Sequence, residues 1–118
     1  MSTQNGESRP LILVVEDIAW IREGMVRRLR ECGYDVAEAT DAGEALAAAE
    51  RARPALILTE EELPTYAQLV TRLAERPSPA RLSVVIINPD VEDGTRYGDS
   101  IMLSGYDRIA HLLATLKT

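Results

Sequence analysis

The chain is 118 residues long, 46% hydrophobic and 27% charged, and its thirteen Lys and Arg against nineteen Asp and Glu leave a net charge of -6. That length supports one hydrophobic core rather than two ordinary domains, and an acidic chain without a basic block is a poor binder of nucleic acid or of an anionic membrane. A lone cysteine, Cys32, and a lone histidine, His111, exclude an internal disulfide and a His-rich metal site; no apolar run approaches the ~20 residues that span a bilayer, and no signal-peptide core precedes Pro10, so the expected compartment is the cytoplasm.

Residues 1–10 read as a disordered lead-in and 11–118 as a single domain. Leu11–Val15 is a continuous apolar run rich in β-branched residues, as expected of a strand covered on both faces. Ile18, Ile21, Met25, Val26 and Leu29 then recur at helical spacing, with Arg22, Arg27, Arg28 and Arg30 largely between them. Gly33 closes that helix, and Tyr34–Ala39 is a second strand. Asp41 and Glu44 form a capping-box pattern that opens an alanine-rich helix to about Ala52. Pro54 breaks it, and Ala55–Thr59 is a third strand. Tyr66, Leu69, Val70 and Leu73 mark a helix to about Glu75, and Pro77-Ser78-Pro79 a turn. Leu82–Ile87 is a fourth strand, punctuated by Asn88-Pro89-Asp90. From Asp90 to Gly98 the pattern fails, leaving at most a short, weak helix. Ser100–Leu103 reads as a short edge strand. Ser104 then caps a last helix, with Asp107 at its third position and Ile109, Leu112, Leu113 and Leu116 inward.

Five strands alternating with helices predict a doubly wound, mostly parallel α/β domain with helices on both faces. Such sheets bind ligands beyond the carboxyl ends of their strands, which picks out Glu16, Asp17, Glu60, Glu61, Glu62 and Asn88. In the flavodoxin-like order 2-1-3-4-5 the first and third strands are neighbours, so Glu16, Asp17 and Glu60 would share one crevice. Like charges held close repel one another. They persist when hydrated or when a hard cation neutralises them, and Mg²⁺ suits one or two carboxylates plus water. The alternative is a solvated acidic loop, or charge favoured by a helix N-terminus, and that is the better reading of Glu61 and Glu62.

These residues also resemble a family. Ile12-Leu13-Val14-Val15-Glu16-Asp17 resembles the opening of a CheY-like response regulator receiver domain, the phosphoacceptor module of two-component signalling. Pro54-Ala55-Leu56-Ile57-Leu58-Thr59-Glu60, closed by Leu63-Pro64, is similar to its phosphorylation segment. Gly33-Tyr34-Asp35-Val36 and Ala39-Thr40-Asp41-Ala42-Gly43-Glu44-Ala45-Leu46 resemble its second strand and second helix. The likeness is strong from Leu11 to about Ala74 and weaker but collinear from Leu82 to Leu116. It implies that Glu16 and Asp17 match the acidic pair that holds Mg²⁺. It also implies three departures: Glu60 stands where the family has its phosphoacceptor aspartate, Asn88 where it has a switch threonine or serine, and Ser104-Gly105 where it has Lys-Pro. The sole lysine is Lys117. The stretch between Asn88 and Ser104 is shorter than usual, so the fourth helix is reduced or absent.

The departures have physical consequences. Aspartate at this site attacks a phosphoryl group in line, with Mg²⁺ and lysine neutralising its oxygens. The extra methylene of glutamate moves the nucleophile by about 1.5 Å, where ~1 Å of misplacement costs roughly 100-fold in rate. The missing lysine removes a charge clamp, while the Asn88 amide can still donate a hydrogen bond. Glu60 would also mimic, with one charge, the roughly two charges of a phosphoryl group. The resemblance therefore implies a degenerate, non-enzymatic receiver that docks a histidine kinase, a phosphotransfer protein or a separate output protein. With the chain ending at Thr118, no attached DNA-binding output domain is expected. Two alternatives stay open: weak Mg²⁺-dependent phosphoryl transfer or phosphatase activity at the carboxylates, and a structural interaction domain without metal.

Five other features have a bland reading beside a functional one. Trp20 is expected as a half-exposed helix residue at the rim of the site, with a partner anchor as the alternative. His111 reads as a surface residue and Cys32 as an inert thiol at a helix end. The arginines of the first helix form a solvated face that could dock an acidic partner. Tyr97 and Tyr106 are candidates for a homodimer face.

Overall fold

The computed structural model describes residues 9–59, 83–87, 95–97 and 100–116. In chain order the elements are β1 (Leu11–Val15), α1 (Ala19–Glu31), β2 (Asp35–Ala39), α2 (Ala42–Ala52), β3 (Leu56–Thr59), β4 (Ser83–Ile87), β5 (Thr95–Tyr97), β6 (Ser100–Leu103), a 3-10 turn at Tyr106–Arg108, and α3 (Ile109–Leu116). The helix expected between Tyr66 and Glu75 and the turn at Pro77–Pro79 lie outside the described residues.

The strands form a single sheet in the order β2-β1-β3-β4-β6-β5. Five of them run parallel, and β5 pairs antiparallel to β6 at the edge. The doubly wound α/β class therefore holds, with two corrections. Among the described residues the sheet has six strands rather than five, and the Ser100–Leu103 segment lies inside it rather than at its edge. A strand stands in part of the stretch where the pattern failed. Thr95-Arg96-Tyr97 includes two residues of good β-propensity, and two residues separate it from β6, a hairpin-length connection.

The continuous apolar runs reflect burial on both faces. Ile12, Val14, Leu56, Leu58 and Val85 point to one side, where they meet Met25, Val26 and Leu29 of α1 and Ile109, Leu112 and Leu113 of α3. Leu13, Val15, Ile57 and Val84 point to the other, against Ala42, Ala45, Ala48 and Ala49 of α2. The period-two alternation of a strand divides each run between the two cores. Alanines let α2 approach the sheet closely, and Ala45 is completely buried.

Local signals set the element ends. Asp41 caps α2: its Oδ1 accepts the Glu44 N–H at 2.8 Å. The expected return bond shifts by one residue, because Glu44 Oε1 accepts from the N–H of Thr40 rather than of Asp41, at 2.9 Å. Gly33, at φ 94°, follows the end of α1 in the left-handed region that glycine permits. Arg53 adopts the same region, at φ 49°, at the end of α2. The last helical segment starts one residue later than expected from Ser104. The cap position is Gly105, with no side-chain bond, and the Arg108 N–H donates to its carbonyl at 3.2 Å. Ahead of β1, the Pro10 carbonyl accepts from the Asp35 N–H at 3.0 Å, so contact with the sheet begins before Leu11.

Candidate functional site

Parallel register levels the carboxyl ends of the central strands. Val15, the last residue of β1, pairs with Ala39 on one side and Thr59 on the other. Thr59 pairs in turn with Ile86. Glu16 and Asp17 leave this row at its middle, as expected for ligand-bearing residues of a doubly wound sheet. Glu60 and Asn88 lie outside the described residues. Ser104 directly follows β6 and is half-buried. The structure thus places three of the five predicted site residues, and brings Glu16 and Asp17 together by adjacency.

The two carboxylates sit in different surroundings. Asp17 is exposed, whereas Glu16 is only 3% exposed. A buried carboxylate needs donors, and Glu16 has one close by: its Oε2 accepts the Ile18 N–H at 3.0 Å. Ile18 is the residue before α1 and has no side-chain cap of its own. Glu16 therefore binds a helix-entry N–H from two residues away, and its negative charge lies at the positive end of the helix. Its main chain is held as well. The Glu16 N–H donates to the Ala39 carbonyl at 3.0 Å, and its own carbonyl accepts from Arg22 Nη1 at 2.8 Å.

Arg22 stands apart from the other arginines of α1. It belongs to the site rather than to a solvated face, because Nε also bonds Glu38 Oε1 on β2 at 3.2 Å. A signal was available: Arg22 lies one helical turn beyond Ile18, on the side of the helix that returns toward the strand end. Ile18 departs from the inward stripe. Its extended backbone, φ -88° and ψ 117°, takes it out of helical phase, and it is 45% exposed. Trp20 is 75% exposed, well beyond the half-exposed rim position expected. Together Asp17, Ile18 and Trp20 make a lip of mixed acidic and apolar character. An open groove nearby, lined by Glu23, Val26, Arg27, Arg30, Glu31 and Glu38, includes neither Glu16 nor Asp17.

Among the described residues no group of three or more His, Cys, Asp or Glu side chains is placed to hold a metal ion. The expected Mg²⁺ set of Glu16, Asp17 and Glu60 includes one member outside those residues. Of the described pair, Asp17 is exposed, whereas Glu16 is buried and its Oε2 is engaged by the Ile18 N–H.

The profile of the response regulator receiver domain matches residues 12–109. The transcriptional regulatory protein PrrA of Mycobacterium bovis and that of Mycobacterium tuberculosis are each 31% identical to this chain over 117 residues, covering 95% of it and 50% of the relative. The chain thus spans about half the length of the curated relatives it matches. Among solved structures, the chemotaxis response regulator CheY4 of Vibrio cholerae superposes with a TM-score of 0.61 at 26% identity, over 71% of this chain and 72% of that one. A response regulator receiver modulated diguanylate cyclase from Pelobacter carbinolicus superposes with a TM-score of 0.56 over 91% and 98%; at 18% identity it shares the fold alone. The profile match runs from β1 into α3, and the acidic pair stands at the end of the first strand of a doubly wound sheet: the chain belongs to the response regulator receiver domain family of two-component signalling.

Proposed function

We propose that this receiver is a docking module whose state does not depend on phosphorylation. The observation that carries the reading is Ser104. It follows the end of β6, where a receiver ordinarily presents a lysine, and the sole lysine of the chain is Lys117, beyond α3. Without that cation, the charge that builds on a transferring phosphoryl group has no clamp from this strand. Glu60 in place of aspartate and Asn88 in place of a hydroxyl residue point the same way. The carboxylate of Glu60 supplies a permanent single charge where the family gains about two on phosphorylation.

In this reading the protein is not an enzyme, and it works in the cytoplasm by binding a histidine kinase, a phosphotransfer protein or a separate output protein. Asp17, with Glu16 behind it and Glu60, are the residues that would hold Mg²⁺, and the ion would offset their mutual repulsion. The surviving acidic pair favours a second reading, weak Mg²⁺-dependent phosphoryl transfer.

Intact-mass analysis after incubation with Mg²⁺ and a small-molecule acyl phosphate separates the two. The docking reading expects no phosphoryl adduct on the folded protein. An adduct overturns it and returns the chain to ordinary phosphotransfer. Labelling of a Glu60→Asp variant alone would trace the defect to side-chain length rather than to the missing lysine.

A further inference from the structure

The turn that carries the acidic pair is braced from within the chain. Arg22 reaches two groups at once: Nη1 donates to the Glu16 carbonyl at 2.8 Å and Nε to Glu38 Oε1 at 3.2 Å. Glu38 precedes Ala39, whose carbonyl accepts the Glu16 N–H. Both ends of the brace therefore meet the same two strand ends, those of β1 and β2. Inside the loop so closed, the Glu16 carboxylate bonds the Ile18 N–H.

We infer that Arg22 is a positioning residue, which sets the shape of the Glu16–Ile18 turn from within the chain. A planar guanidinium holds two acceptors in fixed relation, which an ammonium cannot do. The Arg22 side chain is 17% exposed, so its bonds are partly shielded from water, and the Glu16 carbonyl would lose a donor on its removal. Asp17, Ile18 and Trp20 leave the turn directly, so the brace also sets how that exposed lip is presented. The use of the lip for docking rests on the proposed function; the brace itself does not.

Amide hydrogen exchange on the full chain tests this. In Arg22→Met, exchange at Glu16 and Ile18 is expected to quicken about tenfold, the effect of losing a partly buried hydrogen bond. Exchange at Val14 and Leu58 in the sheet stays within about two-fold of the parent, as a local opening requires. Arg22→Lys keeps the charge but places its donors on a single nitrogen, and recovers part of the protection. Glu38→Gln keeps an acceptor for Nε and stays near the parent. Unchanged rates at Glu16 and Ile18 in Arg22→Met overturn the inference. So does an equal rise at Val14 and Leu58, because that would make Arg22 a general stabiliser. If Arg22→Met does not fold, Glu38→Ala cuts one end of the brace and is expected to quicken the same two amides about three-fold; no change there overturns the inference equally. A phosphoryl adduct in the mass experiment would remove the docking reading and leave these exchange rates as they are.

Discussion

The guanidinium of Arg28 lies over the ring of Tyr106, 4.9 Å from its centroid. Tyr106 is partly buried and packs against the core shared by α1, the sheet and α3. A cation over an aromatic face thus fastens the first helix to the turn that follows β6. This places Tyr106 in an internal contact as well as at the surface. Arg28→Ala is expected to lower the unfolding free energy by about 0.5–1 kcal/mol, the range for a cation–π contact at an exposed site. Tyr106→Phe keeps the ring and should retain most of the coupling, whereas Tyr106→Leu should abolish it. Urea denaturation of the single and double variants measures the difference directly.

Two residues with positive φ offer opposite outcomes. A methyl added at Gly33 meets no atom within 4 Å, so the cost of Gly33→Ala is conformational alone. It should destabilise the protein by roughly 1–2 kcal/mol. Arg53 already bears that strain, and Arg53→Gly is expected to raise stability by about 0.5 kcal/mol once the greater freedom of glycine in the unfolded chain is set against it. Denaturation midpoints of the two variants should move in opposite directions.

The cap of α2 should respond to truncation. Asp41→Ala removes the acceptor for the Glu44 N–H and should cost about 1 kcal/mol. Glu44→Gln leaves an acceptor for the Thr40 N–H and should cost much less. Thermal unfolding followed by circular dichroism ranks the two.

Tyr34 makes stability sensitive to alkali. Burial pushes its phenol above the ordinary 10.0, and negative charge on the Cys32 sulfur raises it further. As pH passes about 10, the unfolded chain loses this proton before the folded one does. Stability therefore falls from that point and stops falling once the folded phenol also ionises. Tyr34→Phe should flatten this part of the stability–pH curve, and Cys32→Ser should flatten it slightly. Urea midpoints measured on either side of pH ~10 test both.

The elements were legible because their signals are local. Leu11–Val15 has the apolar continuity of a covered strand, Asp41 and Glu44 lie at capping distance, and Gly33 follows the last buried residues of its helix. Such signals act within one element, so the order of the described strands and helices apart from β5 followed from them. The segment at Thr95–Tyr97 carried too few residues for a period to emerge, and its strand became visible through its partner, β6. Likewise Ile18 has the right spacing for an inward residue, but its backbone turns it outward one position before the helix begins.

The site divides in the same way. The sequence by itself determined that Glu16 and Asp17 stand past the first strand, that a glutamate, Glu60, follows Thr59 and that Ser104 rather than a lysine directly follows Leu103, since these are matters of residue type and order. Tertiary structure decided that Glu16 is buried while Asp17 is open, that Trp20 stands in solvent, and that Arg22 joins Glu38, sixteen positions away. The physical reason is one of range. Periodicity and capping act within a helical turn, whereas the burial of a carboxylate and the reach of a guanidinium depend on strand register, which brings Val15 beside Ala39 and so gives Arg22 two strand ends to hold.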